Sequence, residues 1–441
     1  MRFRRFELIL PCLKSSVISL IVTSFPVIQK EYVLNLTELG LIASIYYLFA
    51  FIGTIIWTFL NGRIARVAVF CIGGLLWSSC TFLLYLTNDF SSLIILICVI
   101  GLGAESTTII IMNELLEFSD LSNRGKNQSY FWIINGLGTI VGWVIGGTFE
   151  GIYGISWKLP MIFIGLTAMC VTGLISFLFR SQSRGFPNST NRNLATFLQK
   201  MDNKPTRELF RETISNRINM LAIIICIIFM PFNSNFNTWL QKFFIQSRNM
   251  TQSMASIAMV FVFSAAFLAQ IVGGRLIDRY FREPPPKKIK LAVLATFISV
   301  PLLFFAFFIP WLIPPAAPTL NYIELAIYML GRAMQDPTVF WTFFSLFLGF
   351  FASTLLSIIL PLVVIDYNGP RTKILAINVL IIAFNSGWVL GPVLGGVIGD
   401  AYGLNVLFLI EPIVFIVIGF LFWKMYFAGK IEVGVLTQVP D

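Results

Sequence analysis

The sequence has no histidine and few charged residues. Charged side chains make up 12% of its 441 residues, whereas a soluble domain carries about 25%. Without histidine, His-based catalytic triads are excluded, and proton chemistry near neutral pH must use carboxyl groups. The six cysteines form no Cys-x-x-Cys pair and lie in or beside apolar stretches. A disulfide framework, a zinc site and a bound cofactor are therefore not expected.

Long apolar runs dominate the chain. Hydrophobic residues make up 57% of it, and 44 of its residues are Phe. A helix needs about 20 apolar residues to cross the hydrocarbon of a bilayer, and the strict alternation of barrel strands is not visible. We therefore predict an all-α polytopic membrane protein with twelve spans. Their approximate limits are 8–28, 39–60, 67–87, 91–116, 127–149, 157–180, 218–244, 253–277, 289–312, 340–364, 372–399 and 404–428.

The basic residues indicate how these spans are oriented. With both termini in the cytoplasm, 25 of the 31 basic residues lie on the cytoplasmic side, as the positive-inside rule requires for an even number of crossings. They occur in short clusters between apolar stretches rather than in one basic domain, so we expect no nucleic-acid partner. We predict a multi-pass, monomeric protein of the plasma membrane with both termini cytoplasmic.

The two halves of the chain repeat one another. Glycines of the fifth predicted span recur in the eleventh at one constant offset: Gly138, Gly142, Gly146 and Gly147 against Gly387, Gly391, Gly395 and Gly396. Small residues four apart let helix backbones approach closely in a bilayer. We predict an N-terminal six-helix bundle at 1–180, a cytoplasmic linker at 181–217, and a C-terminal six-helix bundle at 218–441 with an outer insertion at 313–339. Repeated bundles are typical of transporters.

Charged motifs stand at the cytoplasmic ends of several spans. The loop after the eighth span reads G-R-L-I-D-R-Y-F-R from residue 274 to 282, and its counterpart after the second span keeps Arg63 and Arg66. After the fourth span, Glu117 precedes an Arg-Gly-Lys triplet that begins at Arg124. These motifs resemble those of the major facilitator superfamily, and the last is similar to that of its sugar and metabolite:proton symporters. The resemblance implies two pseudo-symmetric six-helix bundles that work by alternating access.

The resemblance also implies a gate at the cytoplasmic face. Ionic and helix-end interactions would hold the two halves together there and part when the site opens inward. The alternative is that these are solvated charges that only fix the topology. The predicted gate residues are Arg63, Arg66, Glu117, Arg124, Asp278, Arg279, Asp366 and Lys373.

Glu105 is the most informative ionisable residue. It lies well inside the fourth predicted span, where a carboxylate is costly unless it is paired, solvated or protonated. A carboxyl group that loads and unloads a proton as the cavity changes sides is a coupling element, and we predict this role for Glu105. Static pairing with Lys14 of the first span is the alternative. Lys14 itself either reaches the cytoplasmic surface or lies in the cavity, where it would favour an anionic solute.

Polar residues in the apolar spans mark a substrate cavity. The seventh span carries a dense series of amides beside an indole ring, and polar groups within lipid must find partners. In the superfamily that the chain resembles, the first, fourth, seventh and tenth helices line the cavity. Packing between helices is the alternative role. The predicted cavity residues are Lys14, Ser19, Asn233, Asn235, Asn237, Trp239, Gln241 and Ser353.

These observations predict a secondary active transporter, not an enzyme. We expect it to move a small organic solute by alternating access with coupling to protons, in contact with the lipid bilayer. An exporter of lipophilic drugs or lysolipids with the same fold is one alternative, because aromatic residues are abundant. A non-transporting membrane solute sensor is the alternative from another class. No compact set of nucleophile, base or metal ligands is visible for an enzyme.

Overall fold

The computed structural model describes residues 8–61, 63–117, 124–182, 206–281, 285–314, 320–369 and 372–436, and the described chain is almost entirely helical. Helices crossing the bilayer satisfy their backbone hydrogen bonds internally, which explains why long apolar runs take this form. The first half contains α1 to α7, which span Ile9–Thr23, Phe25–Glu31, Leu36–Asn61, Arg66–Leu83, Phe90–Glu117, Arg124–Phe149 and Lys158–Gln182.

The second half repeats this pattern with two additional short helices. The first short helix, α8, precedes the first long helix of this half, and the second, α12, lies between α11 and α13. Helices α8 to α15 span Thr206–Ser215, Arg217–Arg248, Gln252–Phe281, Pro285–Phe308, Tyr322–Gln335, Pro337–Asp366, Lys373–Tyr402 and Leu404–Leu436.

Eleven helices are long and apolar enough to cross a membrane, and the bent pair α1 and α2 makes a twelfth candidate. The prediction of twelve spans is confirmed when this bent pair is counted as one span. The predicted single span 8–28 is wrong in detail, because α1 and α2 meet at an angle of 59° and α2 continues to Glu31. Pro26 stands in the first turn of α2, and its missing N–H prevents a continuous hydrogen-bond ladder through Ser24.

The predicted outer insertion contains a real helix, α12. Asn321 and Glu324 form a capping box at its start, which satisfies two of the free N–H groups there. Leu325 and Met329 are buried against the bundle, whereas Ile323 and Ile327 are exposed. An apolar residue on each face suits a helix that rests between protein and lipid. Of the predicted cytoplasmic linker at 181–217, residues 183–205 lie outside the described residues.

Two faces of the molecule are defined by the ends of these helices. Because successive spans run antiparallel, Asn61, Glu117, Gln182 and Asp366 end on the side of the inter-bundle linker, which we call the linker face. The opposite side, called the far face, carries the ends of α2, α6, α9 and α14 and the starts of α3, α5, α7 and α10. The sequence predicts that the linker face is cytoplasmic.

Helix packing is dense within each half and restricted between them. In the first half α6 packs on α1, and α5 packs on both α3 and α4; in the second half α14 packs on α9, and α13 packs on both α10 and α11. The halves meet mainly where α3 packs on α14 and α6 packs on α10. The two interfaces are related by the same repeat that relates the glycines.

The repeated glycines explain the close approach of these helices. An added Cβ at Gly138 would lie 2.0 Å from the carbonyl oxygen of Cys12 in α1. At the equivalent Gly387 it would lie 2.2 Å from the Cβ of Met230 in α9. Each distance is far below van der Waals contact, so only glycine fits. These positions therefore pack each long helix on its partner in the same half.

Other glycines serve the contact between halves. A Cβ at Gly147 would lie 1.9 Å from the Oγ of Ser256 in α10, and one at its repeat equivalent Gly396 would lie 2.5 Å from the carbonyl oxygen of Leu36 in α3. Gly40 is equally tight, since its Cβ would lie 2.2 Å from the carbonyl oxygen of Pro392. The glycine repeat thus places α6 and α14 against both their own half and the opposite one.

We expect Gly138→Val to destabilise the protein by about 1–3 kcal/mol, the usual cost of overpacking. The backbone of Cys12 cannot move aside as a flexible side chain can, so the helices α1 and α6 must separate. The matched control is Gly173→Val in α7, because nothing lies within 4 Å of a Cβ at Gly173. Thermal unfolding in detergent measures the difference. Equal melting temperatures for the two variants would contradict this account of the repeat.

Candidate functional site

A cavity of about 340 Å³ lies between the two halves. Its wall is formed by α1, α3, α5 and α6 of the first half and by α9 and α14 of the second. The lining combines one cation, one carboxylate, hydroxyl and amide groups, and several aromatic rings. The residues that line it are Lys14, Ser15, Ile18, Ser19, Val22, Tyr46, Tyr47, Ala50, Phe51, Thr54, Glu105, Thr108, Phe131, Trp132, Asn135, Thr139, Trp143, Asn237, Thr238, Phe384, Asn385 and Trp388.

An ion pair stands on the wall of this cavity. The Nζ of Lys14 donates to the Oε1 of Glu105 at 2.8 Å and to the Oγ1 of Thr108 at 2.7 Å. Only 12% of the Lys14 side chain and 17% of the Glu105 side chain are exposed. Glu105 and Thr108 lie one helical turn apart on α5, which explains why one ammonium group reaches both. Pairing compensates part of the cost of holding each charge inside the membrane.

Amide and hydroxyl groups continue the polar wall on both halves. The Oγ of Ser15 donates to the Oδ1 of Asn135 at 2.9 Å, which joins α1 to α6. On the opposite half, the Nδ2 of Asn237 donates to the carbonyl oxygen of Asn233, and that of Asn385 donates to the carbonyl oxygen of Ile381. These amides are anchored to their own helices. A solute in the cavity therefore meets polar groups from both halves.

Aromatic rings supply the apolar part of the wall. The rings of Tyr47 in α3 and Trp388 in α14 lie 5.1 Å apart, so they face each other across the two halves. Trp143 of α6 is buried and lies 4.7 Å from Phe263 of α10. Trp132 is 51% exposed and lines the cavity. Such rings bind planar or apolar parts of a ligand, while the few polar groups orient it.

The predicted cavity residues fall into three groups. Lys14, Ser19 and Asn237 line the cavity. Asn233 is not among the lining residues, but its carbonyl oxygen accepts a hydrogen bond from the lining residue Asn237. The remaining four are buried in helix packing: Asn235, Trp239, Gln241 and Ser353.

Trp239 and Ser353 have specific structural bonds. The Nε1 of Trp239 donates to the carbonyl oxygen of Pro392 at 3.0 Å, and the Oγ of Ser353 donates to the carbonyl oxygen of Phe350 at 3.0 Å. The ring of Trp239 also lies against Gly395, where an added Cβ would approach it to 2.6 Å. These contacts attach α9 to α14 and close one turn of α13, so the two side chains are used in packing.

Several lining residues were not anticipated from the sequence. Many of them lie on α3, α6 and α14, which are not among the helices that the resemblance implied for the cavity wall. Asn135 and Asn385 are polar residues within apolar spans, and this was the available signal for them. The rings had no comparable signal, because aromatic residues are abundant in every span. The unanticipated residues of this kind are Tyr46, Tyr47, Phe51, Phe131, Trp132, Trp143, Phe384 and Trp388.

The predicted gate residues lie at the linker face as far as they are described. Arg63 is exposed, with its guanidinium carbon 3.8 Å from the centre of the Phe59 ring. Asp366 ends α13 and accepts from the Nζ of Lys288 in α11, so this ion pair lies within the second half. Arg66 begins α4 and Lys373 begins α14. The side chains of the other four, namely Glu117, Arg124, Asp278 and Arg279, lie outside the described residues.

The far face is held closed by a carboxylate of one half on a helix end of the other. Asp400 of α14 accepts hydrogen bonds from the backbone N–H of Leu36 at 2.9 Å and of Thr37 at 2.8 Å, and from the Thr37 hydroxyl at 2.6 Å. These are the first N–H groups of α3, which have no partner within their own helix. Asn35 and Glu38 complete the cap from within the first half. The negative charge of Asp400 also suits the positive end of the helix. We call these contacts of Asp400 with the start of α3 the first latch of the far face.

A second latch, formed by Gln252 and Ser253, joins α6 to α10 at the same face. The Nε2 of Gln252 donates to the Oε2 of Glu150 at 2.7 Å and to the carbonyl oxygen of Thr23 at 3.1 Å. The Oγ of Ser253 donates to the carbonyl oxygen of Gly147 at 2.9 Å. Because the two latches lie on the two related interfaces, the far mouth of the cavity is shut on both sides.

Glu150 lies beyond the end of α6 and its carboxyl group titrates in an unusual range. Burial raises the pKa of Glu150 from 4.5 to about 7, and the nearby charge of Glu31 adds to this effect. The nearby Ser24 hydroxyl and the hydrogen bond from Gln252 act in the opposite direction and lower the pKa, but they offset only part of the shift. The latch that Glu150 forms is thereby sensitive to pH near neutrality.

A family comparison identifies the architecture. The family model described as Major Facilitator Superfamily matches residues 9–340, which is well over half of the chain. The chain belongs to the major facilitator superfamily. Its family and its fold indicate a transporter rather than an enzyme. It is a multi-pass membrane protein that takes a small-molecule substrate. Among curated proteins none matches significantly.

Solved structures of the superfamily have the same fold. One is a bacterial homologue of the human lysosomal transporter Spinster in an inward-facing, occupied conformation, with a TM-score of 0.69 at 13% identity over 96% of this chain and 96% of that one. Its unoccupied form gives 0.67 at 14% identity over 97% and 98%. The nucleoside transporter NupG gives 0.65 at 13% identity over 97% and 99%. At these identities the likeness concerns the fold alone.

We expect Asp400→Ala to open the far face. Removing a helix cap costs about 1 kcal/mol, which shifts the ratio of open to closed molecules by about fivefold. Asp89→Ala is the matched control, because Asp89 caps α5 through Ser92 within a single half. Spin labels at the exposed positions Leu86 and Ile323, with the exposed Cys170 replaced by serine, report the distance between the halves. An unchanged distance distribution in Asp400→Ala would refute the latch.

We expect acidification from pH 8 to pH 6 to favour closure of the far face. The closed state holds Glu150 with a pKa of about 7, whereas an open, hydrated carboxyl has its ordinary pKa of 4.5. The closed state therefore binds the proton more tightly and gains stability as the pH falls through 7. The same spin-label distances measure this, and Glu150→Gln should abolish the pH dependence. A pH response that survives in Glu150→Gln would assign the effect elsewhere.

Proposed function

We propose that this protein is a proton-coupled secondary transporter in which Glu105 carries the coupling proton. One observation supports this most directly: a carboxylate on the cavity wall, paired with Lys14 and still partly accessible. Glu105 lies about 22 Å along α5 from its far-face end at 1.5 Å per residue. A group at this depth exchanges protons with water only through the cavity. It can therefore load from one side and unload to the other.

The closed far face supports alternating access as the mechanism. Helix α3 meets α14 and α6 meets α10 through glycine contacts and two polar latches, all from the middle of the spans to the far face. Opening these latches while the linker-face ends approach would expose the same cavity to the other side. The gate residues predicted at the linker face would then hold that second closure.

The size of the cavity favours a small solute over a lysolipid. Its volume of about 340 Å³ lies near the lower end of the range for small-molecule pockets, which is about 300–1,000 Å³. A molecule with a long acyl chain would require a larger or laterally open space. A small organic compound with one polar end and one planar or apolar part fits both the volume and the lining.

We expect Glu105→Gln to abolish accumulation driven by a pH gradient while preserving exchange of solute. The amide retains the shape of the side chain but cannot carry the proton. Uptake of a solute identified by thermal stabilisation should be measured in proteoliposomes with and without an imposed gradient. Glu208→Gln is the control, because Glu208 is an exposed carboxylate of α8.

Three outcomes would contradict the proposal in different ways. Gradient-driven accumulation that persists in Glu105→Gln would remove this residue as the coupling site. Binding of solute without any flux in the unsubstituted protein would favour the alternative of a membrane sensor. Loss of both exchange and accumulation in Glu105→Gln would show that the carboxylate is needed for binding and would contradict a role confined to coupling.

A further inference from the structure

The charges on the cavity wall restrict what the solute can be. Lys14 and Glu105 are the two oppositely charged side chains among the described residues that line the cavity. Their ammonium and carboxylate groups lie 2.8 Å apart, so the empty cavity carries no net charge. Both side chains are partly exposed to the cavity. A solute can therefore compete for either member of the pair.

A net charge in the closed cavity opposes the change from one open side to the other. Moving an unpaired charge into a low-dielectric interior costs several kcal/mol even after relaxation. An electrically neutral cavity escapes this cost. The states that interconvert readily are therefore those in which the charges of Lys14, Glu105, the proton and the solute add to zero.

Only one kind of solute satisfies this condition together with a proton on Glu105. Protonation of Glu105 leaves the positive charge of Lys14 uncompensated. A neutral solute leaves that charge in place, and a cationic solute adds a second one. A monoanion restores neutrality, because it takes the place of the Glu105 carboxylate beside the ammonium group.

We propose that the substrate is a small organic monoanion that replaces Glu105 as the partner of Lys14. This inference rests on the proton coupling proposed above. The hydrogen bond from the Nζ of Lys14 to the Oε1 of Glu105 breaks, a bond from Nζ to an oxygen of the anion forms, and Glu105 takes up one proton. Thr108 keeps its bond to the ammonium group and holds it in position. One anion and one proton then cross together without net charge movement.

The surroundings of Glu105 are compatible with this exchange. Among the described side chains, the titratable groups that face it are Lys14 from α1 and Tyr46 from α3. Helix α6 contributes Asn135 to the same wall, and α4 packs behind α5 with the backbone of Trp77 against Gly103. No second described cation on these elements would compete with Lys14 for the anion.

The aromatic rings of the cavity wall indicate the chemistry of the uncharged part of the solute. Tyr47 and Trp388 face each other from the two halves, and Trp132 presents a half-exposed ring on the same cavity. These rings suit a flat or apolar body. An arylalkyl carboxylate is the simplest chemistry that places such a body against the rings and an anion on Lys14.

Binding to the full-length protein in detergent tests this without requiring transport. Two matched series of probes vary only the charge: phenylacetate, phenylacetamide and phenethylamine, and indole-3-acetate, indole-3-acetamide and tryptamine. We expect the carboxylates to raise the melting temperature more than their amides or amines. Lys14→Gln should abolish this preference, whereas Lys290→Gln, which changes an exposed lysine of α11, should keep it.

The pH dependence of carboxylate affinity tests the exchange of partners. In the unsubstituted protein, affinity should fall by up to about tenfold per pH unit as the pH rises, the limiting slope for one proton taken up per anion. In Glu105→Gln, affinity should be independent of pH, because Lys14 is no longer paired. A purely structural role for Glu105 would leave the slope unchanged.

The outcomes separate this inference from the proposed function. Stronger stabilisation by the amides or amines, carboxylate preference that survives in Lys14→Gln, or no stabilisation by either series would overturn the monoanion. Proton-driven uptake lost in Glu105→Gln would still support coupling in each of these cases. Carboxylate binding with the expected slope, but without gradient-driven uptake, would instead overturn the coupling and leave the exchange of partners standing.

Discussion

The fold depends on one constraint: polar and charged groups inside a bilayer have no water to bind and must find partners within the protein. The backbone meets this constraint by forming long helices. Lys14 and Glu105 meet it by pairing with each other on the cavity wall. The pair carries no net charge, and the cavity reaches it. A fully buried pair could not exchange partners, and a solvated pair would carry no coupling.

The two halves share one architecture but contribute different kinds of residue to the cavity and to the closure of the far face. The charged pair belongs to α1 and α5 of the first half. The second half contributes Asn237, Asn385 and Trp388 to the cavity, and Asp400 and Gln252 to the closure of the far face. In the proposed mechanism, closure therefore connects the half that would bind the charged group of the solute to the half that would contact the rest of it. Relative motion of the halves would change access to the pair without breaking it.

Much of the fold could be predicted because apolar length alone determines whether a helix spans a membrane. The limits of the spans follow from this length to within a few residues, except where Pro26 divides the first span. Glu105 could be singled out for the same reason, since a carboxylate in the middle of an apolar run requires an explanation. Its pairing with Lys14 could be named only as one alternative. Composition does not show which faces of α1 and α5 meet.

The rest of the site could not be predicted because hydropathy does not distinguish lipid, core and cavity. Asn235, Asn237 and Trp239 follow one another closely on α9, yet only Asn237 lines the cavity. Residues two apart on a helix point to different sides, so the rotation of α9 decides their roles. That rotation is set by glycine contacts with α14, such as Gly391 against Pro231. The contribution of Tyr47 and Trp388 likewise depends on the packing of the halves.

In the proposed mechanism, the cavity itself must control coupling, because closure and solute binding use different residues. Asp400 closes the far face on backbone N–H groups, and Gln252 closes it on Glu150 and the Thr23 carbonyl. None of these contacts involves Lys14 or Glu105, so the latches close equally well over an empty, full or half-loaded cavity. One helix cap contributes about 1 kcal/mol, whereas an unpaired buried charge costs several kcal/mol. In the proposed mechanism, the charge balance of the cavity therefore outweighs a latch, and states with only the proton or only the solute bound are kept from crossing.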